Sequence, residues 1–366
     1  MAVELLRFSG EQSSPTGLER VYAQDPVLAR GEPPEELVHL RDNREIFLSR
    51  ELQPRTERVE KEDIWRVTLP VAPGLPGQTA VRESPADIAA AVDPDVGFAG
   101  YRPDWMPLLP APRPAAGAEQ PVLRRFNGKA TRPLYVFPPE NRAVFQDTAW
   151  PWGVVGKVFT SAGWYGTGAL IGPRLMVTAA HVVPWNNVAA GNWWMRFVPA
   201  YFNGTSLHGA GVESYVSDVR GYNPGTAVTG YDYAVCRLYN PLGNSLGWFG
   251  YNGYSESWNN QAHWTLLGYP GAVAGGERPS WQGSCSIFDV DGDSNGGSEL
   301  ETRADVTGGN SGGPLFGWWN GDPRVIGVVS GEETDWIFPA SSEAGNVVAG
   351  GSGFTNLCAW GRTNWP

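Results

Sequence analysis

Residues 134–366 of this chain predict an all-β unit. Short β-branched and aromatic runs alternate there with Gly, Asn and Pro turns, and few stretches carry a helical period. The runs lie at 154–160, 168–171, 175–178, 193–198, 233–238, 263–267, 284–290, 300–305 and 325–330. Such a pattern belongs to a sandwich or a barrel. Its length suits one large β unit or two small barrels sharing a cleft. The second observation is a break in composition near residue 134. The front 133 residues hold 17 of the 27 Lys+Arg, 20 of the 38 Asp+Glu and 17 of the 31 Pro, but only 2 of the 17 Trp. The remainder holds 38 of the 47 Gly and all 3 Cys. Two kinds of chain meet there, and the large Trp side chains supply buried area to the back one.

The front segment, 1–133, reads as a mixed, partly extended region that is either a prosegment or a regulatory arm. Residues 35–51 suit a short helix or a strand pair, and 64–69 alternate as one strand. Pro70, Pro73, Pro76 and Pro85 then interrupt. Five prolines between Pro103 and Pro114, followed by Ala115-Ala116-Gly117-Ala118, predict an extended linker over about 103–133. Arg124-Arg125 beyond it is a candidate processing site. The domain expected to follow covers 134–366.

Several functions are excluded by charge and pattern. The net charge of −11 divides as −3 in front and −8 behind, so no nucleic-acid footprint is expected. No apolar run approaches the ~18 residues of a membrane span. Glu4 and Arg7 sit where a signal core would run, which argues against a signal peptide and for the cytoplasm. Cys236, Cys285 and Cys358 allow one bridge plus a free thiol, or three thiols. Imidazole chemistry is confined to His39, His181, His208 and His263.

Three strings carry the chemistry. In Asp305-Val-Thr-Gly-Gly-Asn-Ser311-Gly-Gly-Pro314 a serine stands among four glycines. Glycines permit a tight turn that exposes the hydroxyl and close approach of backbone N–H groups to a developing oxyanion. In Gly166-Thr-Gly-Ala-Leu-Ile-Gly-Pro-Arg-Leu-Met-Val-Thr-Ala-Ala-His181 a strand runs into small residues and ends on a histidine. In Tyr231-Asp232-Tyr-Ala-Val an Asp opens an apolar strand. A serine hydroxyl is a weak nucleophile that needs a base, and the base needs a carboxylate to fix its tautomer. The chain order His181, Asp232, Ser311 is one of the orders in which this set occurs.

Residues 134–366 resemble the trypsin-like, chymotrypsin-fold serine peptidases, most of all their glutamyl-endopeptidase-like branch. Thr-Ala-Ala-His181, Asp232-Tyr-Ala and Gly-Asn-Ser311-Gly-Gly-Pro match the family's three motifs, Gly268-Tyr-Pro-Gly271 a segment of its second barrel, and the stretch from Tyr135 to Thr148 its mature N-terminal segment. The resemblance fails over 1–133. It implies two six-stranded antiparallel barrels with the active site in the cleft between them. It also implies a serine endopeptidase acting through an acyl-enzyme. Ser311 is then the nucleophile, His181 the base and acid, Asp232 its orienting carboxylate, and the N–H groups of Gly309 and Ser311 the oxyanion hole. The partner is a protein or peptide substrate, with a regulatory partner for residues 1–133 as a further expectation. The reading from another class is a catalytically silent protease-fold scaffold.

This chain departs from the family at Asn310, where the trypsin-type zymogens carry an Asp that captures a new N-terminus. The specificity pocket is expected from Asp305, Val329, Ser330 and Gly331. Val329 stands where the glutamyl branch has a His. Asp305, with Glu332 and Glu333 nearby, favours a basic or medium apolar substrate side chain over an acidic one. No cofactor is expected. Asp291, Asp293 and Asn295 match the opening of a calcium loop, but Thr302 stands where its closing Glu belongs, so a hairpin turn is preferred. His208 and His263 are expected to be structural or at the surface.

Overall fold

Six antiparallel strands close the first barrel of the computed structural model: Val155–Thr160, Tyr165–Leu170, Leu175–Thr178, Met195–Pro199, Ser214–Gly221 and Ala234–Leu238. The model describes residues 55–59, 64–68, 79–82, 99–115, 136–137, 141–190, 193–222, 224, 228–293, 296–337 and 341–366. Of 55–59, 64–68, 79–82, 333–337 and 341–344 it describes the backbone alone. Closure comes from pairing Ser214–Gly221 with Ala234–Leu238, with Val219 opposite Cys236. Val158, Leu170 and Met176 fill the interior, all fully buried. These branched and flexible apolar side chains favour the pleated, two-sided burial of a barrel wall.

The second sheet runs in the order Ile287–Gly292, Ser298–Thr302, Ser341–Gly350, Asp322–Ile337, Pro314–Trp319, Trp264–Gly268, Ser280–Cys285 and Ala143–Val144. One residue, Ser286, joins Ser280–Cys285 to Ile287–Gly292 near the two ends of that path. Chain continuity therefore curls the sheet around its own core of Trp264, Ile287, Leu300, Leu315, Ile326 and Val348. Trp152 ties the first core to strands of the second sheet, with Phe145, Trp281 and Phe316 edge-on to it at 5.8, 5.4 and 5.9 Å. Burying one such ring contributes on the order of 3 kcal/mol.

The strands differ from the sequence expectation in instructive places. The run at 284–290 is two strands broken at Ser286. Ser214–Gly221 and most of Ser341–Gly350 do not stand out in the sequence, because Ser, Gly and Asp dilute their apolar pattern, while the apolar run of Pro314–Trp319 follows directly on the Gly-rich serine loop and opens with a proline. Pro314 is tolerated as the first residue of its strand, where a missing N–H costs least. The C-terminal helix Ser352–Asn364 buries Phe354, Leu357 and Cys358, with the Phe354 ring 5.5 Å from Tyr233.

A correction concerns residues 99–115, most of which the proline pattern assigns to a linker. They run along the β unit and pack into it. Met106 and Ala115 are buried, and the Trp152 indole donates to the Leu109 carbonyl at 2.9 Å. Tyr101 bridges Trp248, Leu108 bridges Trp150, and Pro114 bridges Phe145. The Arg113 guanidinium meets the buried Asp147 carboxylate in a fork, Nε to Oδ2 at 2.9 Å and Nη2 to Oδ1 at 2.8 Å. Burial opposes the Asp147 charge, but Arg113 and the N–H groups of Arg113 and Ala149 outweigh it and hold the carboxyl below its usual range. Prolines pre-set the extended backbone and lack N–H groups, so the stretch lies against the barrel with few donors left to satisfy. The packed unit therefore begins well before the compositional break. Earlier still, Ile64–Thr68 pairs with Arg55–Val59, and Thr79–Arg82 adds in parallel beside Asp218–Gly221. Residues 35–51, Arg124-Arg125 and Tyr135 lie outside the described residues.

Candidate active site

His181 stands where the buried strand Leu175–Thr178 leaves the barrel. Ala179 and Ala180 are fully buried and let the chain turn tightly into a single 3-10 turn, Ala180–Val182. The His181 side chain is about one-third exposed, whereas the Asp232 side chain is almost completely buried. Asp232 Oδ1 accepts the His181 backbone N–H at 2.8 Å, and Oδ2 lies 2.5 Å from His181 Nδ1. A carboxylate only accepts, so Nδ1 carries a proton and Nε2 of the neutral ring keeps its lone pair. The Ser330 hydroxyl also donates to Oδ2, at 2.6 Å. The turn before Asp232 is fixed from the second sheet, where Asp293 Oδ2 accepts the Gly230 N–H at 2.6 Å.

Ser311 lies on the loop between Ser298–Thr302 and Pro314–Trp319 of the second sheet. The loop is pressed into the first barrel. The Ser311 carbonyl accepts the Thr167 N–H at 2.8 Å. A Cβ on Gly166 would fall 2.7 Å from Val182 Cγ2 and 2.8 Å from the Ser311 carbonyl oxygen. The residue after His181 and the serine loop thus flank one glycine. Gly312 has φ +81°, and a Cβ there would sit 2.7 Å from Ala179 N. Gly309 has φ +99°, and a Cβ there would sit 2.7 Å from Tyr165 Cε2. Neither position accepts another residue without displacing backbone or ring. The Gly309 carbonyl accepts the Thr167 hydroxyl at 2.8 Å. Among the described residues no protein group accepts the Gly309 or Ser311 N–H.

The expected pocket residues separate. Asp305 is fully buried, and it does not floor an open pocket. Its Oδ1 accepts the Phe137 N–H at 2.7 Å and its Oδ2 the Asn141 N–H at 2.8 Å, while Arg142 reaches Thr307 Oγ1 at 2.9 Å. The carboxylate is taken up by the chain's own lead-in segment. Val329 is fully buried in the second core, and its backbone exchanges hydrogen bonds with Gly312 and Gly313. The Ser330 hydroxyl turns to Asp232. Gly331 lies against Val228. Asn310 is buried within the serine loop, its side-chain oxygen 3.3 Å from the Thr307 N–H.

The calcium reading also changes. Asp293 faces Gly230, and Asn295 lies outside the described residues. Asp291 clusters with Asp289 and Glu301, whose oxygens lie within 4.8 Å of one another. Asp289 and Asp291 are exposed and Glu301 is buried on the neighbouring strand, and paired strands bring acidic groups to such spacing without an ion. His208 is half-buried with Nε2 2.8 Å from the Gly153 carbonyl, and desolvation of the ring pulls its pKa down to about 4 despite that bond. His263 is exposed beside Gln261. Cys236, Cys285 and Cys358 are buried free thiols; burial raises all three, Cys285 to about 12.

Sequence reasoning missed Thr167, Tyr165 and the true role of Ser330. Thr167 had a signal, standing between Gly166 and Gly168 as a polar residue on a barrel strand. Its hydroxyl and N–H hold the Gly309 and Ser311 carbonyls.

The imidazole and carboxylate stand on one barrel and the serine loop is carried by the other, an arrangement like that of the β-barrel serine peptidases. Comparison makes the class particular. The profile of the family described as Trypsin matches residues 141–340, more than half of the 366, and the chain belongs to that family. It is 29% identical over 220 residues to the glutamyl endopeptidase of Bacillus licheniformis, covering 59% of this chain and 66% of that protein. The match thus spans just under two thirds of the relative's length. Among solved structures, a Glu endopeptidase in complex with MPD is similar at 18% identity and a TM-score of 0.48, over 63% of this chain and 100% of that one. The protease Anisep from Arthrobacter nicotinovorans is similar at 19% identity and a TM-score of 0.42, over 58% and 98%.

Proposed function

We propose that the protein is a serine endopeptidase. The observation that supports this most is the buried Asp232 carboxylate, which accepts both the backbone and ring N–H of His181. In this reading His181 Nε2 takes the Ser311 Oγ proton as the oxygen attacks a peptide carbonyl. The Gly309 and Ser311 N–H groups stabilise the oxyanion. His181 then passes its proton to the leaving amine, and water releases the acyl group by the same route in reverse. Asp232 stabilises the imidazolium that forms in each half.

The substrate class is a protein or peptide. With Asp305 committed to Phe137 and Asn141, the acidic floor that would favour Arg or Lys is lost. The apolar half of the expectation remains: a medium apolar side chain before the scissile bond. The B. licheniformis relative is named for Glu, and the acidic Glu332 argues against that preference here. A peptide-library digest tests this. Residues 1–133 are proposed to control access, and Ser311→Ala tests the chemistry, with a loss on the order of 10³-fold or more in turnover.

A further inference from the structure

Lys157 is a fully buried cation in the wall of the first barrel, on the strand Val155–Thr160. Burying an ammonium is costly unless it is paired and hydrogen-bonded. Its Nζ donates to the Gly276 carbonyl and to Glu277 Oε1, both at 2.9 Å. It also stands 4.0 Å from the Tyr165 ring centroid and 4.9 Å from that of Tyr201, and the Tyr201 hydroxyl donates to Glu277 Oε2 at 2.5 Å. Gly276 and Glu277 belong to the loop that follows Trp264–Gly268 in the second sheet, so this charge joins the two barrels.

Two paths lead from Lys157 to one peptide group. The loop it anchors donates from Gly271 N–H to the Gly308 carbonyl at 2.7 Å. That carbonyl shares its peptide unit with the Gly309 N–H, and in a trans peptide the two point in opposite directions. Holding the carbonyl therefore aims the N–H. The second path is the Tyr165 ring, whose centroid lies 4.0 Å from the ammonium and whose edge also walls Gly309.

We propose that Lys157 and Glu277 are positioning residues that clamp the Gly308–Gly309 peptide so that its N–H faces the oxyanion site. This rests on the serine-endopeptidase reading above. The clamp touches no reacting atom, so its removal changes transition-state stabilisation and leaves ground-state substrate binding alone.

The test uses the full-length chain, a chromogenic peptide anilide with an apolar residue before the scissile bond, and thermal unfolding of each variant. Lys157→Met is expected to lower kcat by about tenfold or more with KM within about twofold, short of the ~10²–10³-fold for outright loss of an oxyanion donor. The double variant Lys157→Met with Glu277→Leu removes both charges, and its Tm is expected to return toward the parent value, since an apolar pair can replace a buried ion pair. Its kcat is expected to stay low. Should Lys157→Met fail to fold, the double variant carries the measurement. A folded variant with the parent kcat overturns the clamp, as does a kcat that recovers together with Tm. A parent protein that neither turns over peptides nor labels with a fluorophosphonate overturns the endopeptidase reading, and the clamp with it.

Discussion

The Ser330 hydroxyl donates to the same Asp232 oxygen that faces the His181 ring, 2.6 Å away. Ser330 comes from the second sheet and Asp232 from the first, so one bond fixes the carboxylate across the seam of the molecule. Ser330→Ala leaves a buried carboxylate short of one charge-assisted bond, worth about 1.5–3 kcal/mol. We expect kcat to fall by about tenfold with KM within about twofold, read in steady-state peptide assays. An unchanged kcat would show that Asp232 is held without it.

Asp305 binds the lead-in segment, and its loss acts there. Asp305→Asn keeps the shape but weakens two charge-assisted bonds from Phe137 and Asn141. The expected results are a Tm lowered by several degrees, from about 1–3 kcal/mol, and faster proteolytic nicking around 136–142. The residue preferred before the scissile bond is expected to stay the same. A switch of preference away from basic residues on Asp305→Asn would restore the pocket-floor reading.

The packing of 99–115 sets the true edge of the folded unit. A chain beginning at residue 134 loses the buried Met106 and Ala115, the Arg113–Asp147 fork and the Leu109 acceptor of Trp152. It is expected to melt several degrees below a chain beginning at 99, since ~1 kcal/mol shifts Tm by about 2–4 °C at this size. Protein nicked between 116 and 135 is expected to co-elute as two chains under native conditions. Equal melting temperatures would return this stretch to a linker.

Half-buried His208, its ring against the Gly153 carbonyl, links stability to pH. Its folded pKa of about 4 lies below the ordinary 6.5, because burial disfavours the charged ring. The unfolded state therefore binds a proton first as pH falls. The contribution of the neutral ring is complete above 6.5 and is lost between 6.5 and about 4, at up to about 1.4 kcal/mol per pH unit. Chemical unfolding across that window is expected to give a steeper fall for the parent protein than for His208→Asn. Parallel profiles would show that His208 is not the responsible group.

The serine loop, the histidine turn and Asp232 were legible because each is a local pattern: glycines around a nucleophile, small residues before an imidazole, an acid opening an apolar strand. The β class was legible from short apolar runs between turns. What stayed hidden depends on partners far apart in sequence. Nothing near Asp305 announces Phe137 and Asn141, and nothing near Lys157 announces Glu277. Prolines between 103 and 114 read as an exposed linker because an extended chain laid on a barrel and one in water share the same local chemistry. Ser214–Gly221 was hidden for a related reason, since its burial comes from neighbouring strands and not from its own pattern.

Labelling with a fluorophosphonate tests the central claim most directly. The full-length protein is incubated with the probe and the modified residue located by peptide mass mapping. The account predicts a single covalent adduct on Ser311 that disappears in Ser311→Ala and forms at least about 10²-fold more slowly in His181→Ala. A folded protein that stays unlabelled, or labels elsewhere at the same rate in both variants, would contradict it.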